Sequence, residues 1–202
     1  TYLAIRVVVH EMPPLLAASL RFFTAGVVMA GAALVVDRNR PRPTRRQVLD
    51  YAFVGVLLLA IGNGLVMMAE RSIPSGIAAL IVATVPLWIV LLDGLRKGGQ
   101  PWTLRAWLGG LVGLVGVALV ARPEGDLTRA HLTGVLGLQV AAISWTVGSL
   151  YTQSRPQKLP LFTASAVQML AGSAVLLLES LVLREDPQEL FGASSSAWGA
   201  LL

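Results

Sequence analysis

A succession of apolar runs, each close to the length that crosses a bilayer, constrains this chain more than any other feature. A membrane-spanning helix needs roughly 20 mostly apolar residues, because each residue advances the helix by about 1.5 Å. Six runs approach that length in the sequence: 14–36, 48–69, 76–95, 104–121, 132–152 and 161–183. Residues 1–9 are too few to span and are expected to be the end of a further helix. The pattern predicts an all-α, polytopic membrane helix bundle with about seven helices in this chain.

The composition supports a membrane protein and excludes several other classes. Charged residues make up 13% of the chain, against about 25% in soluble domains. The net charge of +5 does not indicate a nucleic-acid partner, because the basic residues lie in short turns and form no stripe among aromatics. Cysteine is absent, and the only two histidines, His10 and His131, lie in outer loops. We therefore expect no metal site and no cofactor.

The short loops divide into a basic set and an alternate, less basic set. The loops 37–46, 96–105 and 155–160 together hold ten Lys and Arg residues, whereas the alternate loops hold four. Because cytoplasmic loops are the ones enriched in Lys and Arg, the first set is predicted to face the cytoplasm. The regular alternation supports the helix count.

Two segments of the sequence match each other. Residues 14–26 and 160–172 align without gaps and are identical at six of thirteen positions. The helix that begins at Pro14 is the second and the one at Pro160 the seventh, so the repeat unit is five helices. A unit with an odd number of spans places its second copy upside down, a common design of secondary transporters. The parent architecture would have about ten helices, with a first repeat at 1–121 and a truncated second at 132–202.

Four segments carry a recognisable combination of residues: TYLAIR at 1–6, GNGL with a following AE at 62–70, SGIAALIVATVPLW at 75–88 and WLGGLVGLVGVAL at 107–119. Together they closely resemble the EamA-type branch of the drug/metabolite transporter superfamily, over the whole chain and most densely from 1 to 121. The resemblance implies a ten-helix inner-membrane carrier built from two five-helix repeats, typically an exporter of amino acids or related metabolites. It does not fix the substrate.

Polar side chains near the outer ends of the runs form the first candidate site. Arg21 lies about 10 Å inside the outer end of its helix, and Asn63 lies at roughly the same depth. Glu70 follows Asn63 seven residues later on the same run. Intramembrane charges usually face a cavity or a partner, so we expect a polar outer vestibule that binds a zwitterionic or anionic substrate. A structural ion pair or snorkelling to the interface is the open alternative.

Aromatic and amide side chains deeper in the runs form a second group of candidates. Trp88, Trp145 and Tyr151 fall at mid-membrane or on its inner side, away from the headgroup level where belt aromatics lie. Gln139 and Gln168 are polar and lie within apolar runs. We predict that Trp88, Trp145, Tyr151 and Gln168 contribute to substrate binding. Packing and hydrogen bonding between helices are the alternative roles.

Two local features predict how the helices pack. Pro86 lies inside an apolar run and frees a backbone carbonyl, so it should kink its helix. Gly109, Gly113 and Gly116 recur at helical spacing and should let a neighbouring helix approach closely.

Three classes of function are compatible with such a bundle. The first is a secondary carrier in a bacterial-type inner membrane, with a small-molecule substrate and the lipid bilayer as its surroundings. The second is a membrane-embedded enzyme acting on a lipid-linked substrate through Glu70, Glu179 or Arg21, and the third is a non-transporting scaffold. The repeat favours a non-enzymatic carrier, because carriers benefit from two interchangeable halves. An enzyme usually has clustered His, Asp or Ser residues at the lipid–water boundary, and this sequence has no such cluster.

Overall fold

The computed structural model describes residues 11–121, 129–155 and 158–201, and all regular elements within those ranges are helical. In chain order they are α1 (Pro14–Val36), α2 (Arg45–Gly55), the π-helix π1 (Val56–Asn63), α3 (Gly64–Ala69), α4 (Ser75–Val82), α5 (Val85–Leu95), α6 (Leu104–Ala121), α7 (Arg129–Gln153), α8 (Leu161–Val182), α9 (Gln188–Gly192) and α10 (Ser195–Leu201). The expected helix end at residues 1–9 lies outside the described residues.

Five stretches of the described chain are long and apolar enough to cross a membrane: Pro14–Val36, Arg45–Ala69, Gly76–Leu95, Leu132–Gln153 and Leu161–Val182. They coincide with five of the six predicted runs, and the sixth run forms α6. Large apolar side chains stay exposed along the outside of the bundle, including Val28, Leu34, Val112 and Val182. Such a surface suits a lipid environment, because soluble proteins rarely expose large contiguous apolar patches. The all-helical, polytopic architecture is therefore confirmed.

The local sequence explains where several helices begin. Pro14 occupies the first turn of α1, and Pro160 directly precedes α8. Proline suits a helix start, because the first N–H groups of a helix have no partner within the helix. At the start of α2, Thr44 and Gln47 form a capping box in which each side chain bonds the backbone N–H of the other.

The loops predicted to share one side of the membrane do lie at one end of the bundle. The end of α1 contacts the start of α8 through Asp37 and Thr163. At the same end, Asp50 near the start of α2 contacts Tyr151 near the end of α7. Arg96, just after α5, donates a hydrogen bond to the carbonyl of Leu150 in α7. This end therefore gathers the basic loops, and its exposure to the cytoplasm stays a prediction.

Helices α1 and α8 run in opposite directions. They share the most extensive contact between any two helices of the described chain, and we call them the central pair. Small side chains make this possible: Ala17 and Ala18 are fully buried. The Ser19 hydroxyl donates a hydrogen bond of 2.9 Å to the carbonyl of Ser173 across the contact. A Cβ on Gly26 would stand 3.0 Å from the Leu170 side chain, which shows how closely the helices approach.

The first turn of each helix in the central pair is capped by a carboxylate. In both cases that carboxylate belongs to a residue that lies just after the end of the partner helix. Asp37, just after α1, accepts hydrogen bonds from the Thr163 backbone N–H at 3.0 Å and hydroxyl at 2.7 Å, in the first turn of α8. Glu185, shortly after α8, accepts the backbone N–H groups of Leu15 and Leu16 at 3.2 and 2.9 Å. A carboxylate there satisfies unpaired N–H groups and complements the positive end of the helix dipole.

The helix that Pro86 was expected to kink is interrupted just before this proline. Helix α4 ends at Val82, and α5 begins at Val85 with Pro86 in its first turn. Between them the Thr84 hydroxyl donates a hydrogen bond of 2.6 Å to the carbonyl of Ile81. The missing N–H of proline breaks the helical hydrogen-bond series, and the threonine satisfies one of the carbonyls at the end of α4.

The predicted close packing at Gly109, Gly113 and Gly116 is wrong within the described chain. No atom there lies within 4 Å of the position that a Cβ would take at any of the three. A Cβ on the adjacent Gly110 would instead lie 2.4 Å from the Leu87 side chain. The helix α6 therefore meets α5 through the face that carries Gly110, because glycine spacing alone does not determine which face meets a neighbour.

Candidate functional site

The span Arg45–Ala69 changes its helical hydrogen bonding over π1, and polar side chains converge there. The Asn63 side-chain amide donates a hydrogen bond of 2.9 Å to the carbonyl of Leu58. From α7, the Trp145 indole donates one of 2.7 Å to the same oxygen. The neighbouring Ser144 hydroxyl donates one of 2.7 Å to the carbonyl of Leu57. We call these five residues the Leu58 cluster. π-Helical turns are often found at functional sites, so the cluster is a candidate binding site.

The burial of this segment explains why side chains bond its carbonyls. Inside a bilayer no water is available to a backbone carbonyl, so side chains supply any donor beyond those of the helix itself. Two glycines let α7 come close enough. A Cβ on Gly62 would lie 2.2 Å from the Trp145 indole nitrogen, and a Cβ on Gly148 would lie 2.1 Å from the Leu58 side chain. Any larger residue at either position would displace one of the cluster's side chains.

Trp88 and Gln139 form a second polar contact between helices. The Trp88 indole, on α5, donates a hydrogen bond of 3.0 Å to the side-chain oxygen of Gln139 on α7. Both residues are half-buried. The sequence analysis singles out Trp88 as a deep aromatic and Gln139 as a polar residue within an apolar run, and the structure brings the two together.

Tyr151 belongs to a third group, at the end of the bundle that gathers the basic loops. Its hydroxyl donates a hydrogen bond of 2.6 Å to Asp50. Arg155 hydrogen-bonds that hydroxyl, lies 3.3 Å from the same Asp50 oxygen and stacks 4.1 Å from the centre of the tyrosine ring. The ring of Phe53 meets Tyr151 edge-on, with 5.2 Å between ring centres. We call these four residues the end cluster, and it ties α2 to the end of α7.

Three other predicted residues lie apart from these clusters. Arg21 is half-buried on α1, with its guanidinium 5.8 Å from the centre of the adjacent Phe22 ring. Glu70, just beyond α3, is only 4% exposed. Gln168 lies on α8, where its backbone carbonyl would be 2.2 Å from a Cβ on Gly55.

Arg21 and Asn63, which the sequence places at roughly the same depth, form no hydrogen bond with each other in the described part of the chain. Asn63 instead turns back to the carbonyl of Leu58, five residues earlier in its own span. The amide nitrogen of Asn63 is therefore engaged within its own span. The substrate-binding role of both residues stays a prediction.

Sequence reasoning missed several groups that the structure places in the clusters. Backbone carbonyls of Leu57 and Leu58 have no signature in the sequence beyond the nearby glycines at 62 and 64. Ser144 resembles any small polar residue in a span. Asp50 lies near the end of a predicted span, and only the fold shows that it faces Tyr151. Within the described ranges, no group of three or more His, Cys, Asp or Glu residues could hold a metal ion.

Comparison with known proteins identifies relatives over nearly the whole chain. The profile of the EamA-like transporter family matches residues 1–122. The protein named "Uncharacterized inner membrane transporter YedA" of Escherichia coli (strain K12) is 36% identical over 186 residues, which cover 92% of this chain and 58% of YedA. The transporter YoaV of Bacillus subtilis (strain 168) is 22% identical over 93% of this chain and 64% of its own length. The chain thus spans about three fifths of the length of these relatives.

A solved structure titled "Crystal structure of protein" shares the fold. It superposes on 99% of this chain and 71% of its own, with a TM-score of 0.73 and 22% sequence identity. That similarity concerns the fold alone, whereas the family match covers more than half of the sequence. The chain belongs to the EamA-like transporter family and is a multi-pass inner-membrane protein.

Proposed function

We propose that the protein is a secondary exporter of small metabolites, with amino acids or related compounds as the substrate class. Two inverted repeats, represented here by residues 1–121 and 132–202, would alternate between access to one side of the membrane and the other. The proposal depends chiefly on one observation. The Leu58 cluster, the Trp88–Gln139 contact and the end cluster each join a residue of 1–121 to a residue of 132–202. Carriers place their binding sites at this kind of boundary between repeats.

The Leu58 cluster offers the groups that a zwitterionic substrate needs. Carbonyls of an interrupted span can accept hydrogen bonds from an ammonium group. The Trp145 ring adds a face that attracts cations. The Asn63 amide can donate to a carboxylate, and Arg21 supplies positive charge on α1, which packs against α3 at the end of the same span. Glu70, Trp88, Tyr151 and Gln168 complete the proposed set of binding residues.

The central pair supports the inverted arrangement of the two repeats. Its helices contain the matching segments 14–26 and 160–172, run in opposite directions and exchange end caps through Asp37 and Glu185. A two-fold axis in the membrane plane relates helices in this way. The end cluster would then close one entrance, because it joins α2 to α7 at a single end of the bundle.

The experiment is an efflux assay in cells that express the protein. Cells are loaded with labelled amino acids or exposed to toxic analogues, and export is compared for unmodified protein and for Asn63→Ala and Arg21→Leu. Both variants should reach the membrane and lose most export, while Asn39→Ala, in an exposed loop, should export normally. Normal export by Asn63→Ala and Arg21→Leu would show that neither residue is needed to bind the substrate. Turnover of a lipid-linked compound without export would favour the enzyme.

A further inference from the structure

A cavity of about 550 Å³ lies at the end of the bundle that gathers the basic loops. It opens between the loop that follows α1 and the segment that precedes α8. Three cationic side chains line it, from Arg40, Arg42 and Lys158. Its size falls within the range of small-molecule sites, which is about 300–1,000 Å³.

The cavity carries a surplus of positive charge. Its lining contains one carboxylate, that of Asp37. That carboxylate already accepts two hydrogen bonds from Thr163 in the first turn of α8. In the part of the chain that the structure describes, no acidic side chain forms an ion pair with Arg40, Arg42 or Lys158. The three cations are therefore available to an anionic ligand.

The cavity also lies where charged and apolar surfaces meet. Its wall includes Val36, the last residue of α1, and Leu161, the first of α8. Their side chains are 61% and 75% exposed, directly beside the cations. These residues end two membrane spans, so the cavity is at the lipid–water boundary. A phospholipid presents the same sequence of chemistry, an anionic phosphate next to apolar chains.

We propose that this cavity binds the headgroup of an anionic phospholipid from the surrounding membrane. Arg40, Arg42 and Lys158 hold the phosphate, and the acyl chains lie along Val36 and Leu161. Basic pockets between membrane helices bind anionic headgroups in this way, each basic residue contributing through its charge. The site is distinct from the Leu58 cluster and does not depend on the transported substrate.

The first test uses the unmodified protein in detergent. Short-chain phosphatidylglycerol, short-chain phosphatidylcholine and inorganic phosphate are titrated separately, and binding is measured by native mass spectrometry and by thermal stabilisation. Phosphatidylglycerol should bind at least tenfold more tightly than either of the others. Equal binding of phosphatidylcholine would show that charge is not recognised. Equal binding of inorganic phosphate would show a phosphate site without lipid recognition, and either result would overturn the proposal.

The second test compares two triple variants of equal charge. Arg40→Gln, Arg42→Gln and Lys158→Gln remove the cations of the cavity, whereas Arg38→Gln, Arg45→Gln and Arg46→Gln remove exposed cations beside it that do not line it. The first triple variant should weaken phosphatidylglycerol binding by about 100-fold, because each basic residue contributes about 1 kcal/mol to the binding free energy. The control should change it less than fivefold. Similar losses in both would indicate diffuse surface attraction and reject the site. If the first triple does not fold, Lys158→Gln alone provides the comparison with Arg46→Gln.

Discussion

The indole nitrogen of Trp145 lies 2.7 Å from the carbonyl oxygen of Leu58, and this hydrogen bond joins α7 to the interrupted turn of another span. Trp145→Phe keeps a large apolar ring and removes the donor. We expect export to fall by about tenfold, because the Leu58 carbonyl loses one of its two side-chain donors, a hydrogen bond typically worth about 0.5–1.5 kcal/mol, and the ring loses its orientation.

Trp102 supplies the matched control for this change. Its indole also donates to a backbone carbonyl, that of Leu91, at 3.3 Å, and it also lies over a glycine, Gly94. It is 54% exposed and lies outside the Leu58 cluster. Trp102→Phe should therefore leave export unchanged in the same efflux assay, and equal losses in the two variants would remove the special role of Trp145.

Gly62 should tolerate no side chain. Gly62→Ala places a Cβ 2.2 Å from the Trp145 indole nitrogen, so the ring or the helix must move. Overpacking of this kind typically costs about 1–3 kcal/mol, measured here as a lower midpoint of unfolding in detergent. Gly109→Ala, where the added methyl meets open space, should instead be neutral or stabilise the helix by up to about 1 kcal/mol. Equal stability of the two variants would contradict the described approach of α7 to π1.

The end cluster should show energetic coupling between Asp50 and Arg155. Unfolding free energies of Asp50→Asn, Arg155→Gln and the double variant form a double-mutant cycle. Since the side chains are only 20% and 28% exposed and share Tyr151, we expect a coupling energy of about 1 kcal/mol. As a control, Asp186 is exposed and lies at the opposite end of the bundle. The changes in unfolding free energy caused by Asp186→Asn and Arg155→Gln should therefore add. Additive behaviour of Asp50 and Arg155 as well would exclude a role for their contact in closing that end.

The contact between Glu11 and Ser194 should depend on pH. Hydrogen bonds from the Ser194 hydroxyl and backbone N–H hold the pKa of Glu11 below its usual range. The contact is therefore complete above the usual pKa of a glutamate and is lost as the pH falls through the lowered pKa. Hydrogen exchange in α10, which begins after Ser194, should quicken across that acidic window. Glu11→Gln should remove the pH dependence of hydrogen exchange in α10, whereas Glu189→Gln should keep it. An unchanged pH profile in Glu11→Gln would show that the Glu11–Ser194 contact is not its cause.

The orientation of the bundle can be tested by labelling. The chain has no cysteine of its own, so Asn39→Cys and Gln188→Cys each introduce a single exposed thiol at opposite ends. In intact cells a membrane-impermeant reagent should label the cysteine at 188 and leave the one at 39 unmodified until the cells are opened. The reverse pattern would invert the predicted topology.

The sequence predicted features that depend on local composition. The spans follow from hydrophobic length alone, and the break at Pro86 follows from the missing N–H of one residue. Arg21, Asn63 and Glu70 could not be assigned partners in the same way. Choosing a partner requires the rotation of each helix about its axis, and that rotation is set by packing such as Gly62 against Trp145. The bond from Asn63 to Leu58 also depends on π1, because the widened turn presents this carbonyl to the asparagine.

The exchanged caps of the central pair restrict how the bundle can move. Sliding α1 past α8 by one turn would withdraw Asp37 from Thr163 at one end and Glu185 from Leu15 and Leu16 at the other. Both losses would occur together, since the two ends are tied to the same pair of helices. Any displacement that keeps these four hydrogen bonds must therefore leave α1 and α8 in register with each other.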